Sequence, residues 1–134
     1  MSEMPEKLKL FIFQHIDSAE LMDVLFYLRI LKTDWASVLQ ITSEIRSSES
    51  SVLNRLNHLQ SIGLIEVNSA DATQFRYAPK TAELNEIVIL LDEEYRVKRY
   101  QVLEFIFSSA KQAKPFADAF ILKKNSKKSG DSNG

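Results

Sequence analysis

Cysteine is absent from this chain of 134 residues. That excludes disulfides, thiolate metal sites, thiol redox sensing and a cysteine nucleophile. Glycine and proline are scarce, at three residues each, and so few glycines supply no Gly-rich phosphate loop. An excess of one charge is also missing. Lys and Arg number 17 against 18 Asp and Glu, a net charge of −1. This balance gives no whole-protein attraction toward nucleic acid or an anionic membrane. No apolar run approaches the roughly 18 residues of a membrane helix, and the N-terminus has no signal-peptide pattern. A cytoplasmic protein without membrane insertion is therefore expected. What is present, 45% hydrophobic and 10% aromatic residues, suffices for one core without covalent or metal staples.

Along the chain the apolar period changes once. Leu8, Phe11, Ile12 and Ile16 fit a helix face, while Leu8, Leu10 and Ile12 also alternate as in a strand; Pro5 at the start favours the helix. Asp17 and Glu20 have the spacing of a capping box. Leu21, Met22, Leu25, Phe26, Leu28 and Leu31 then predict a strongly buried helix over 18–31. Trp35 reads as a core anchor ahead of a short helix over 37–46. After a Ser-rich turn, Ser48 is placed to cap a third helix over 49–62, with Val52, Leu53, Leu56, Leu59 and Ile62 as its buried stripe. Gly63 stands where a left-handed residue ends such a helix.

The period then becomes two. Residues 64–67 and 74–77 read as a hairpin with a polar loop between them. Thr81 caps a long helical stretch over 81–108, rich in apolar residues at both ends and charged in the middle. At about 1.5 Å per residue it would measure roughly 42 Å, so it either bends or extends to meet something. Residues 115–122 read as a short amphipathic segment and 125–134 as a disordered tail. The expected fold is mainly α: a winged helix-turn-helix with a two-stranded β wing, followed by a long C-terminal helix. It forms one domain over 1–124, with the helix-turn-helix at about 36–63 and the wing at about 64–79.

In such an arrangement the third helix buries one face and offers the other to a DNA major groove. Asn54 matches adenine and Arg55 matches guanine or a phosphate, with His58 further along the same helix. Ser48, Ser50 and Ser51 suit phosphates near the helix start, and Arg46, Arg76 and Gln74 the flanking backbone. Between Arg46 and Lys80 four cations face three anions. So few phosphate contacts make a dimer almost a requirement of DNA binding. Leu84, Ile87, Leu91, Tyr95, Val102 and Phe105 are the expected dimer surface. His15 and His58, the chain's two histidines, read as packing or contact residues rather than metal ligands. No acid–base pair or nucleophile arrangement stands out, so neither an enzyme nor a cofactor is expected.

The chain resembles a family of small bacterial winged helix-turn-helix proteins whose DNA-binding core is like that of MarR transcription regulators. The resemblance is carried by Phe11-Ile12, His15-Ile16-Asp17-Ser18, Leu21 to Leu28, and Trp35. It continues in Phe75-Arg76-Tyr77-Ala78-Pro79, Glu83-Leu84, Tyr95, Arg99, Val102, Ile106-Phe107-Ser108, Phe116-Ala117-Asp118-Ala119-Phe120 and Leu122. It departs from those regulators after the wing, where one long helix and the 116–120 piece replace the usual paired dimer helices. The resemblance therefore implies the fold, and no known operator or effector. The residues themselves lead to the expectation of a transcription regulator that binds double-stranded DNA as a homodimer. A winged-helix module for protein contacts is the alternative, and a small apolar effector between the helices is a subsidiary expectation.

Overall fold

The computed structural model describes residues 4–108. The segments expected at 115–122 and 125–134 lie outside them. The element order is α1 (Glu6–His15), α2 (Ala19–Leu31), β1 (Ala36–Ser37), α3 (Val38–Ile45), α4 (Glu49–Ser61), β2 (Ile65–Asn68), β3 (Asp71–Tyr77) and α5 (Ala82–Val97). This is a winged helix-turn-helix. None of these helices is long and apolar enough to cross a membrane.

The helix starts follow from hydroxyls at their caps. Ser18, Ser37, Ser48 and Thr81 each accept a bond from a backbone N–H in the first turn of the helix that follows. Each such cap is worth about 1 kcal/mol. The α2 cap is Ser18, not Asp17 as the capping-box spacing had suggested. Asp17 is exposed and Glu20 is thereby freed for another task. Gly63 takes φ +85° after α4, and its carbonyl accepts from the Lys80 N–H at 2.9 Å. That bond ties the start of the wing to its end.

The sheet has one strand more than the expected hairpin. β1 pairs antiparallel with β3, which also pairs with β2, in the order β1-β3-β2. Ala36 faces Phe75 across the sheet. Two residues are too few to show alternation, so periodicity could not reveal this strand. The core is continuous. Leu8 and Ile12 of α1, Leu21, Met22, Val24, Leu25 and Leu28 of α2, Ile41 of α3, Val52, Leu56 and Leu59 of α4 and Leu91 of α5 are fully buried.

The helical stretch expected over 81–108 is interrupted. α5 ends at Val97, Lys98 leaves helical geometry at φ −126° and ψ 56°, and residues 99–108 are helical again. The inward stripe explains where this happens. It runs through Ile87, Val88, Leu91 and Tyr95 and resumes at Val102 and Ile106. The step between falls on Lys98 and Arg99, two cations that stay toward the surface, Lys98 beside Glu94 and Arg99 4.7 Å above the Tyr95 ring. Ion pairs at the spacing read from the sequence flank the break, Asp92–Arg96 at 3.5 Å and Glu94–Lys98 at 4.0 Å.

Two substitutions test this architecture by urea unfolding. Leu56→Ala, at a side chain with no exposure, is expected to cost about 2–5 kcal/mol. Gly63→Ala must hold a positive φ, with its new Cβ 3.3 Å from Lys80 Cδ, and is expected to cost about 1–2 kcal/mol. An unchanged midpoint for either would place that residue outside the cooperative core.

Candidate nucleic-acid interface

The helix-turn-helix is built by α3, its turn and α4. α3 closes on Arg46, which takes a left-handed conformation at φ 64° and ψ 54°. The Arg46 and Ser47 N–H groups both donate to the Thr42 carbonyl, at 2.8 and 3.2 Å. This tight exit turns the chain so that Ser48 starts α4 two residues later. Val52, Leu56 and Leu59 seat α4 on the core.

Glu20 fixes how α4 is rotated about its own axis. Its carboxylate accepts from the hydroxyls of Ser47 and Ser51 and, at 2.9 Å, from Arg55 Nε. The Arg55 guanidinium also lies 3.5 Å from Asp17. The hydroxyl bonds, chiefly, hold the Glu20 carboxyl below its ordinary value, and Arg55 adds to this. Beyond this clasp, His58 Nε2 donates to the backbone carbonyl of His15 at 2.8 Å, pinning α4 to the end of α1. The His15 and His58 rings lie 6.4 Å apart. Partial burial, and then the neighbouring His58, push His15 below its ordinary value.

The residues expected at DNA therefore divide. Arg46, Ser48, Ser50 and Asn54 are exposed. Ser51, Arg55 and His58 are half-buried and bonded inward, as just described. Arg76 is also held: Nη2 is 2.5 Å from Glu66, and the guanidinium lies 4.1 Å above the Trp35 ring. Gln74 accepts from the Asn68 side chain at 2.9 Å across the hairpin. Trp35 thus serves the wing as a platform for Arg76. Leu53, expected in the buried stripe, is 42% exposed on the outward face of α4. Asn57 and Ser61 are exposed beside it. Leu53 was missed because it flanks the apolar stripe of α4, and spacing alone admits it to either face.

The expected dimer surface fares differently. Ile87, Leu91, Tyr95 and Val102 are buried inside the protomer, while Leu84 and Phe105 are partly buried against the same core. The reason is α1, which packs Leu8, Phe11 and Ile12 into the interior on the α5 side. The apolar residues left exposed on the α5 side include Val97, Tyr100 and Phe107, at 79, 82 and 57%, and α1 exposes Leu10 and Phe13. An open groove of about 320 Å³ lies between α1 and α5, lined by Leu10, Phe11, Leu84 and Ile87 among others.

The acid limb of stability should follow from two of these groups. His15 and Glu20 both have pKa values depressed in the folded chain. Each therefore contributes stability that is complete above its unfolded pKa and lost as pH falls through its folded one. Unfolding free energy is expected to decline first below pH 6.5, through His15, and again below pH 4.5, through Glu20. Asp23, raised by partial desolvation, works in the opposite sense, so the readout is the difference between wild type and variant. Glu20→Gln should cost about 1–3 kcal/mol at pH 7, the worth of charge-assisted bonds, and remove the lower limb. An identical pH profile in wild type and Glu20→Gln would disprove the clasp.

No family model and no curated protein matches the sequence. Solved structures do. The crystal structure of a MarR family transcription regulator aligns with TM-score 0.50 at 15% identity, covering 92% of this chain and 83% of that one. A MepR variant from S. aureus bound to an oligodeoxyribonucleotide aligns at 0.48 and 15%, covering 88% and 89%. BpsR from Bordetella bronchiseptica, described for regulation of its DNA binding by 6-hydroxynicotinic acid, aligns at 0.45 and 19%, covering 90% and 91%. The first of these likenesses, with the element order and the wing, shows that the chain has the winged helix-turn-helix fold found in MarR-type regulators.

Proposed function

We propose that the chain is a transcription regulator, not an enzyme, and that it binds double-stranded DNA with α4 in the major groove. The observation that carries this reading is the contrast between the two sides of α4. One side is locked by Glu20, the His15 carbonyl and the core. The other presents Ser50, Asn54, Asn57 and Ser61, exposed and polar, on a helix held rigid in rotation. A recognition helix needs both properties: side chains free to meet base edges, and a frame that does not turn. The DNA-bound MepR variant and the DNA binding of BpsR are in keeping with it.

Arg46 supports the reading independently. A left-handed residue at a helix end is best supplied by glycine, yet here it is an exposed arginine immediately before α4. Keeping a cation at a strained position suits a phosphate contact beside the helix N-terminus. Ser48 and Ser50 lie beside it, while Ser51, Arg55, His58, Gln74 and Arg76 set the frame and reach DNA only by exchanging a partner. Homodimerisation is part of the proposal, since among the described residues around α4 and the wing few cations are left without an ion pair. Val97, Tyr100 and Phe107 are the apolar surface it would use. The groove between α1 and α5 is where a small apolar effector would bind. The alternative, a protein-contact module, draws on the internal pairing of Arg55 and Arg76.

Fluorescence anisotropy with the gene's upstream duplex and a random duplex decides between them. Binding that weakens as salt rises from about 50 to 200 mM is expected. Retention of neither duplex at low salt would leave the protein-contact reading. Arg46→Gly should weaken both duplexes alike, lower the salt slope by about one per protomer, and raise stability by up to about 1 kcal/mol. A variant that is more stable yet binds DNA as tightly as wild type would remove Arg46 from the interface.

A further inference from the structure

We propose that α4 reads A·T base pairs, with Leu53 against thymine methyl groups and Asn54 and Asn57 against adenine edges. The inference rests on the DNA-binding reading above and adds the identity of the bases. Its first observation is an exclusion. Guanine shows two acceptors, N7 and O6, in the major groove, and the common way to read them is a bidentate arginine or lysine. Arg55 is the one arginine of α4, and the helix has no lysine. Its Nε is committed to Glu20 at 2.9 Å, and its guanidinium lies 3.5 Å from Asp17. Both bonds point it back toward α2.

The second observation is what remains. Ser50, Leu53, Asn54 and Asn57 follow at three-, one- and three-residue steps, which places them along one side of a helix. All four are exposed. A carboxamide both donates and accepts, matching the N6 amine and N7 of adenine, and an apolar side chain matches the C5-methyl of thymine. Leu53 stands out on chemical grounds, since α4's other leucines, Leu56 and Leu59, have no exposure while Leu53 has 42%. From Ser50 to Asn57 the helix rises about 10 Å, the height of roughly three base-pair steps at 3.4 Å each. The reading is therefore of about three consecutive A·T pairs per half-site.

The test uses the full chain. Selection from a random duplex pool is expected to return A·T pairs where α4 lies. In the selected duplex, replacing thymine by uracil removes only the methyl group, and replacing adenine by 7-deazaadenine removes only N7. Uracil should weaken wild-type binding about three- to fivefold, the worth of one buried methyl. Leu53→Ala should show no further loss with uracil, and Asn54→Ala combined with Asn57→Ala none with 7-deazaadenine. Both variants change exposed residues, and unchanged thermal midpoints would establish that they fold. A selected site of G·C pairs, or wild-type binding indifferent to uracil, overturns the A·T assignment while salt-dependent DNA binding stands. Retention of no duplex from the pool overturns the DNA reading and this one with it.

Discussion

The helix-turn-helix depends on one carboxylate. Glu20 in the first turn of α2 receives Ser47 from the turn and Ser51 and Arg55 from α4. Hydrophobic contact alone leaves a helix some freedom to roll, because leucine side chains adapt to small rotations at little cost. Directional bonds to a charged acceptor do not allow this, since each is worth about 1.5–3 kcal/mol only when aligned. The clasp therefore decides which residues of α4 face solvent. It turns Arg55 inward and leaves Leu53, Asn54 and Asn57 outside. Its position at the start of α2 adds a favourable field, because the helix N-terminus stabilises a negative group there.

Much of this architecture was legible in the sequence, and what was missed has a common cause. The 3.6-residue stripes of α2 and α4, the Ser48 and Thr81 caps, the left-handed Gly63 and the change to period two are local signals. Each is decided within a few residues of chain. Arg55 was read as a base or phosphate contact because its spacing places it on the flank of α4, where either fate is open. Its partner Glu20 lies 35 positions earlier, and no periodicity reaches that far. Leu53 is the converse case: an apolar residue on the flank of a stripe that three-dimensional packing leaves outside. His58 belongs with Arg55, since its acceptor is a backbone carbonyl on α1.

The back of the molecule shows how a misread surface arises from a sound count. The apolar residues of 84–107 are indeed too many for a solvated helix. Many of them, Ile87, Val88, Leu91, Tyr95, Val102 and Ile106 among them, are buried in the core to which α1 adds Leu8, Phe11 and Ile12, while Val97, Tyr100 and Phe107 stay exposed. Two polar links then set α5 against the rest. Arg29 on α2 donates to Asp92 at 2.7 Å, with both side chains largely buried. The Tyr77 hydroxyl at the end of β3 donates to Asn85 at 2.8 Å. The wing and the long helical arm are thus coupled through α5. The interruption at Lys98 lies beyond both links, and residues 99–108 are held instead by Val102 and Ile106, both fully buried. Two chains of contact join α5 to α4: Arg29 and Glu20 on α2, and α1 with its carbonyl bond to His58.

The same economy of charge sets what kind of DNA contact this frame supports. Arg76 is enclosed by Glu66 and the Trp35 ring, and Arg55 by Glu20 and Asp17. A phosphate that recruited either would have to displace a carboxylate already in place, and the exchange gains little because one anion replaces another. Exposed cations such as Arg46 and Lys80 carry no ion pair among the described residues. With so few phosphate contacts, counterion release contributes less than in a strongly basic domain. Under the proposed DNA-binding role, the burden would shift to base edges and to the doubling of contacts in the proposed dimer. Within that proposal, a helix facing outward with amides, hydroxyls and one leucine suits discrimination between sequences better than coating DNA by charge.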